Sequence, residues 1–167
     1  MNEFQNILVI GTGFIYKNIF GHQSQYNSKS TNIISLSRAK DFPFSDKHIT
    51  ADFTDQAFIS KTLKDEKITK IFLFLGPSFP SISNENAISD VNTYLISFLK
   101  LIENSLKNSV KEIVMLSSAG TVYGSTYASS YQEDTLPFQE NSYGILLKTM
   151  ENYLILASKT NSINYKI

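Results

Sequence analysis

Residues 116–124 read Leu-Ser-Ser-Ala-Gly-Thr-Val-Tyr-Gly, and Tyr143 opens a second stretch, Tyr-Gly-Ile-Leu-Leu-Lys-Thr-Met-Glu-Asn-Tyr-Leu, over residues 143–154. The first follows the apolar run Glu112-Ile-Val-Met-Leu116, which has the length and composition of a buried strand. The second carries Tyr143, Leu147, Met150 and Leu154 at spacings of three and four, one face of a helix. A strand ending in small polar residues and a helix starting Tyr-Gly would face one ligand from two sides.

Strand and helix signals alternate outward from this pair. Residues 7–10, Ile-Leu-Val-Ile closed by glycines, read as a buried parallel strand. Residues 14–20 follow as a helix with Phe14, Ile15 and Ile19 expected on its inner side. Strands are expected at 32–36, 48–52 and 70–75, and a helix at 54–64 with Thr54 as N-cap. Ile88, Val91, Leu95, Phe98 and Ile102 recur through a long amphipathic helix. Residues 125–142 form a polar loop, the last helix covers 143–158, and residues 162–167 look like the first half of a sixth strand. The pattern implies an α/β fold with a doubly wound, Rossmann-type parallel sheet occupying residues 1–167 as one domain.

Composition removes several function classes. Fifteen basic residues balance fifteen acidic ones, so no electrostatic nucleic-acid partner is expected. The row Lys61, Lys64, Lys67 and Lys70 is broken by Asp65 and Glu66 and reads as a solvated face. Without cysteine there is no disulfide or thiolate chemistry, and His22 and His48 lie in unrelated segments, so no metal site is expected. The N-terminus lacks the basic region of a signal peptide, and the run 71–75 is too short to span a bilayer. The expectation is a cytoplasmic, soluble chain with no membrane partner.

Gly11-Thr-Gly13-Phe-Ile-Tyr16 follows the first strand and opens a helix, the setting of a dinucleotide fingerprint. Gly11 and Gly13 fit it, with Phe14 and Ile15 at the helix start, but Tyr16 stands where a third glycine permits close helix–strand packing. The second strand ends Leu36-Ser37-Arg38. A carboxylate at Ser37 would favour NAD; Arg38 instead suits the 2′-phosphate of NADP. NADP or NAD is therefore the expected cofactor, with the lean toward NADP.

Together these segments resemble the extended short-chain dehydrogenases/reductases, the epimerases, dehydratases and reductases of nucleotide-sugars. The resemblance implies that Asp52 and Phe53 contact adenine, that Leu75 and Gly76 form the ribose-side turn, and that Asn92 supports the active site. Glu133-Asp-Thr-Leu-Pro137 also follows the family pattern. Tyr143 is implied as general acid/base, acting on a nucleotide-sugar by hydride transfer at a sugar carbon. The long helix and the last helix resemble the pair that builds the family's homodimer, and a smaller C-terminal lobe would follow the sixth strand.

Two positions depart from this pattern. The lysine expected four residues after Tyr143, which lowers the tyrosine's pKa, is Leu147, and Lys148 comes one residue late. About 100° of helix rotation separates the two, so Lys148 is expected beside Glu151 on a solvated face. An unperturbed tyrosine titrates near 10, leaving about one phenolate in a thousand at neutral pH. The hydroxyl three residues before Val122 is replaced by Ala119. Ser118 or Thr121 would have to serve, Thr121 being favoured by alternation along a strand. Two readings stay open: an enzyme domain with impaired catalysis, and a non-catalytic relic or nucleotide-binding module.

Overall fold

The computed structural model describes residues 4–21, 30–40, 44–124, 130–132 and 138–167. Among the described residues, six strands form one parallel sheet: β1 Gln5–Ile10, β2 Thr31–Ser37, β3 Lys47–Thr50, β4 Lys70–Leu73, β5 Glu112–Met115 and β6 Asn164–Lys166. Their order is β3-β2-β1-β4-β5-β6. The helical segments are α1 Phe14–Phe20, α2 Gln56–Asp65, α3 Ala87–Asp90, α4 Ile96–Lys107, α5 Ala119–Val122 and α6 Ser142–Thr160, with a π-turn at Val91–Leu95 joining α3 to α4. The order in which strands are added reverses at β1 and β4, which opens a crevice at their carboxyl ends, the place where such sheets bind ligands. Among the described residues, no helix is long and apolar enough to cross a membrane.

β1 is central and buried on both faces from Ile7 to Ile10, which explains its continuous apolar run. Leu8 and Ile10 join the larger core, with Leu63, Phe98, Leu101 and Leu154. Ile7 and Val9 face the other way, onto Tyr16 and a set of partly buried aromatics, Phe20, Phe44, Phe72 and Phe74.

That second layer corrects the reading of α1. Phe14, Ile15 and Ile19 are exposed, whereas Tyr16 is fully buried and Phe20 packs against it, tilted, at 4.8 Å between ring centroids. The start of α1 is set by the turn at Gly11, whose N–H donates to Leu36 O at 2.9 Å. With the helix so aimed, positions 16 and 20, one turn apart, meet the sheet.

The cap of α2 is Asp55, whose carboxylate accepts from the Phe58 N–H at 3.0 Å; Thr54 instead donates its hydroxyl to Asp52 at 2.7 Å. In the long helix, Phe98 and Ile102 are buried as expected, but Ile88 is 80% exposed and Val91 also faces out. The π-turn closes i→i+5 bonds and so accommodates one more residue than an α-turn. Apolar spacing counted through it loses register by about 100°. Along α6, Leu146, Leu147, Met150 and Leu154 are all buried and Tyr143 packs partly against the same core, the face expected from spacing.

Candidate functional site

A pocket of about 320 Å³ lies at the carboxyl ends of β1 to β4. Of the residues expected to bind a cofactor, Gly11, Gly13, Arg38, Asp52, Phe53 and Leu75 line it. Gly11 has φ +97°, and a Cβ there would stand 2.9 Å from both the Leu75 side chain and Phe74 O, so only glycine fits. Gly13 is different. A Cβ on it would meet nothing within 4 Å, so nothing in the chain's own packing demands glycine. The missing side chain leaves an open approach to the backbone from the pocket side, which is what a pyrophosphate requires. The residues present therefore fit a dinucleotide.

Phe14 and Ile15 begin α1 with their side chains exposed, so what they could offer a ligand is their backbone N–H groups. Asn92 is exposed, and Thr93 and Tyr94 line the pocket in its place. All three lie in the π-turn, which no apolar period announces. Thr12, Ser37 and Thr54 also line the pocket. The Thr12 hydroxyl donates to Ser37 Oγ at 2.8 Å, tying the glycine turn to the end of β2. Asp52 accepts from Thr54 N at 2.9 Å and Thr54 Oγ1 at 2.7 Å. These hydrogen bonds, outweighing the effect of burial and helped by the charge of Arg38, hold its carboxyl below the usual range.

The second part of the site is the corner between β5 and α6. Asn141 caps α6, its Oδ1 accepting from Gly144 N at 2.9 Å, and Asn84 Oδ1 accepts from Ser142 N at 2.8 Å. A Cβ on Gly144 would lie 2.3 Å from Thr121 O. The Tyr-Gly pair thus has a steric cause, since only glycine lets the helix start lie against the 119–122 turn.

That turn is helical, α5, and alternation along a strand does not apply to it. Thr121 donates its hydroxyl to Ser118 O at 3.1 Å, while the Ser118 side chain makes no capping bond. Between the two hydroxyls, Ser118 is the uncommitted one. The segment 133–137 lies outside the described residues, as does most of the polar loop.

Tyr143 places its hydroxyl over Gly76, whose added Cβ would stand 3.5 Å from it. Burial alone raises the Tyr143 pKa. Leu147, one turn on, is 1% exposed and belongs to the core. Lys148 is not solvated as expected: its side chain is 26% exposed and pairs at 2.9 Å with Glu151, itself buried. The other Glu151 oxygen accepts from the Ser117 hydroxyl. Lys148 is thereby committed to a carboxylate that is itself tied to Ser117. At neutral pH Tyr143 can donate a hydrogen bond but is a poor base.

The family model for the NAD dependent epimerase/dehydratase family matches residues 7–167. The chain belongs to this family. A UDP-glucose 4-epimerase of Lactobacillus helveticus is 29% identical over 119 residues, covering 71% of this chain and 36% of that protein. Among solved structures, UDP-glucose 4-epimerase from Thermotoga maritima with UDP-glucose superposes with a TM-score of 0.85 at 21% identity, over 96% of this chain and 53% of that one. The Thermus thermophilus UDP-glucose 4-epimerase complex with NAD gives 0.85 at 18% identity, over 96% and 53%. The chain spans between about a third and about half of the length of these relatives.

Membership in the epimerase/dehydratase family gives the crevice between β1 and β4 a context, but the contacts that shape it here are local. Thr12 and Ser37 carry no distinctive signal in the sequence. A hydroxyl beside a positive-φ glycine, paired with a hydroxyl at the next strand's end, could have been sought only with the strand order already known.

Proposed function

We propose that this chain is the NAD(P)-binding part of an enzyme of the epimerase/dehydratase family acting on a nucleotide-sugar. The observation that carries the reading is the pocket where the strand order reverses, with Gly11 required by the fold and Gly13 left open toward a ligand. In this reading Gly11, Gly13 and the amides of Phe14 and Ile15 hold the pyrophosphate. Asp52 and Phe53 meet the adenine, Leu75 and Gly76 the ribose side, and Arg38 a 2′-phosphate. The cofactor, when bound, supplies hydride chemistry at its nicotinamide. Tyr143 stands as general acid/base at the reacting oxygen of the sugar, with Ser118 or Thr121 as a second hydrogen bond.

Turnover is expected to be slow, because no ammonium draws down the Tyr143 pKa and Ala119 offers no hydroxyl. A nucleotide-binding role without catalysis is the second reading, and the burial of Leu147 together with the Lys148–Glu151 pair favours it.

The cofactor assignment makes a direct prediction. Isothermal titration should show NADPH bound more tightly than NADH, and Arg38→Ala should remove the difference by weakening NADPH alone. Equal affinities in the unaltered chain would remove Arg38 from the assignment.

We also propose a homodimer through α4 and α6. Ile88, Val91 and Ile96 are exposed along the long helical segment, as are Ile145, Tyr153 and Leu156 on α6. Sedimentation equilibrium should show a dimer that Ile88→Asp with Leu156→Asp converts to monomer. An unaltered chain that stays monomeric at high micromolar concentration would refute it.

A further inference from the structure

Arg38 is exposed, yet the backbone on either side of it is tied down more firmly than an exposed turn requires. Ser37 O accepts from Ala51 N at 2.9 Å, and Ser37 Oγ accepts from both Thr12 Oγ1 at 2.8 Å and Ala39 N at 3.3 Å. The Ala39 carbonyl receives two donors from β3, His48 Nε2 at 2.8 Å and Thr50 Oγ1 at 3.0 Å. Residue 38 is therefore held between a residue tied to the glycine turn and a residue tied to the neighbouring strand.

His48 is itself held. A carbonyl can only accept, so Nε2 carries the hydrogen, and Nδ1 is left facing Ser35 Oγ at 2.8 Å. Ser35 is fully buried, and its hydroxyl also bonds Ser45 Oγ at 2.8 Å. The adjoining Phe44 carbonyl accepts from the Tyr16 hydroxyl at 2.7 Å. A hydrogen-bonded path thus leads from the segment anchored on Tyr16, through Ser45, Ser35 and His48, to the turn that carries Arg38. A rigid turn at a pocket lip lowers the ordering cost of a contact made there.

We propose that His48 and Thr50 are positioning residues for cofactor selection. They fix the Ser37–Ala39 turn so that the Arg38 guanidinium meets a phosphate monoester on the adenosine ribose. The inference rests on the cofactor reading given above. It adds that preference resides in β3 side chains that line no part of the pocket.

The test is a titration of His48→Ala, Thr50→Val, their double variant and His48→Gln with NADPH and with NADH, together with hydrogen exchange at the Ala39 amide. The double variant should lose about tenfold in NADPH affinity, the scale of one well-placed charged hydrogen bond, with NADH unchanged within about twofold. Ala39 should lose protection in step. His48→Gln, whose amide can still donate to the Ala39 carbonyl, should retain part of the preference and guards against a variant that fails to fold. Equal weakening of both dinucleotides, or an unchanged preference, overturns the proposal. An unaltered chain that binds neither dinucleotide overturns the cofactor reading and the selective role with it. Exchange at Ala39 then still decides whether His48 holds the turn.

Discussion

Replacing Leu147 by lysine should lower the Tyr143 titration midpoint by about 1–3 pH units, the usual effect of a close opposite charge. Positions 143 and 147 are one helical turn apart, so the ammonium would reach the phenol from the same face. Each unit corresponds to about 1.4 kcal/mol of preference for the phenolate. In the native chain burial raises the Tyr143 pKa, so its contribution to stability is complete below the unfolded value and is lost as pH rises through the folded one. In the variant the folded pKa would lie lower than in the native chain, and that loss of stability should shift to lower pH.

The same substitution should lower thermal stability, because Leu147 is 1% exposed. It removes a leucine whose loss typically costs about 2–5 kcal/mol and brings in a charge that needs a partner. Ultraviolet difference absorbance against Tyr143→Phe reads the midpoint directly. Lys148→Ala in the native background should leave it in place, since Lys148 is paired with Glu151. An unmoved midpoint in a folded Leu147→Lys chain would mean that position 147 does not address the phenol. A midpoint raised by Lys148→Ala would return that lysine to the active site.

Restoring the glycine of the fingerprint should strongly destabilise the protein rather than improve it. Tyr16→Gly is expected to cost about 4–6 kcal/mol, from about 3–5 for truncating a buried aromatic and about 1 for glycine within a helix. Against a typical total of about 5–15 kcal/mol, that removes a large part of the stability. Tyr16→Phe should cost only about 1–2 kcal/mol, because it keeps the ring and removes the hydrogen bond to the Phe44 carbonyl. Urea unfolding measures both. A Tyr16→Gly chain as stable as the parent would show that the aromatic layer under α1 contributes nothing.

Burial, opposed only in part by the hydroxyls of Ser45 and Ser35, pushes the Tyr16 pKa up to about 12. The stability it confers is therefore complete below about pH 10 and falls as pH rises from about 10 to about 12, by up to about 1.4 kcal/mol per unit. The Tyr16→Phe chain should lack that component.

Long regular elements were legible because their periods repeat. The inner face of α6 followed from Leu147, Met150 and Leu154, and the buried β1 from four consecutive apolar residues. Short or irregular ones were not. α1 has seven residues, too few for apolar spacing to outvote the constraint of the Gly11 turn, so its faces came out reversed. The π-turn altered register at Asn92 without any mark in composition. Tyr16 read as a lost glycine, whereas in the fold it is among the largest fully buried side chains. The pocket was legible where glycine is compulsory or conspicuous, and hidden where ordinary threonine and serine hydroxyls do the tying.

The order of strands also bears on how the chain becomes a sheet during synthesis. β1 leaves the ribosome first and stands at the centre, pairing Gln5 with Thr31 on one side but Ile7 with Lys70 on the other. Until residues 70–73 emerge, one edge of a strongly apolar strand has no neighbour. Such long-range parallel pairing is slow, since loop closure precedes any gain from contact. An incomplete chain ending before β4 therefore carries an open, sticky edge of the kind that chaperones shield and aggregates exploit.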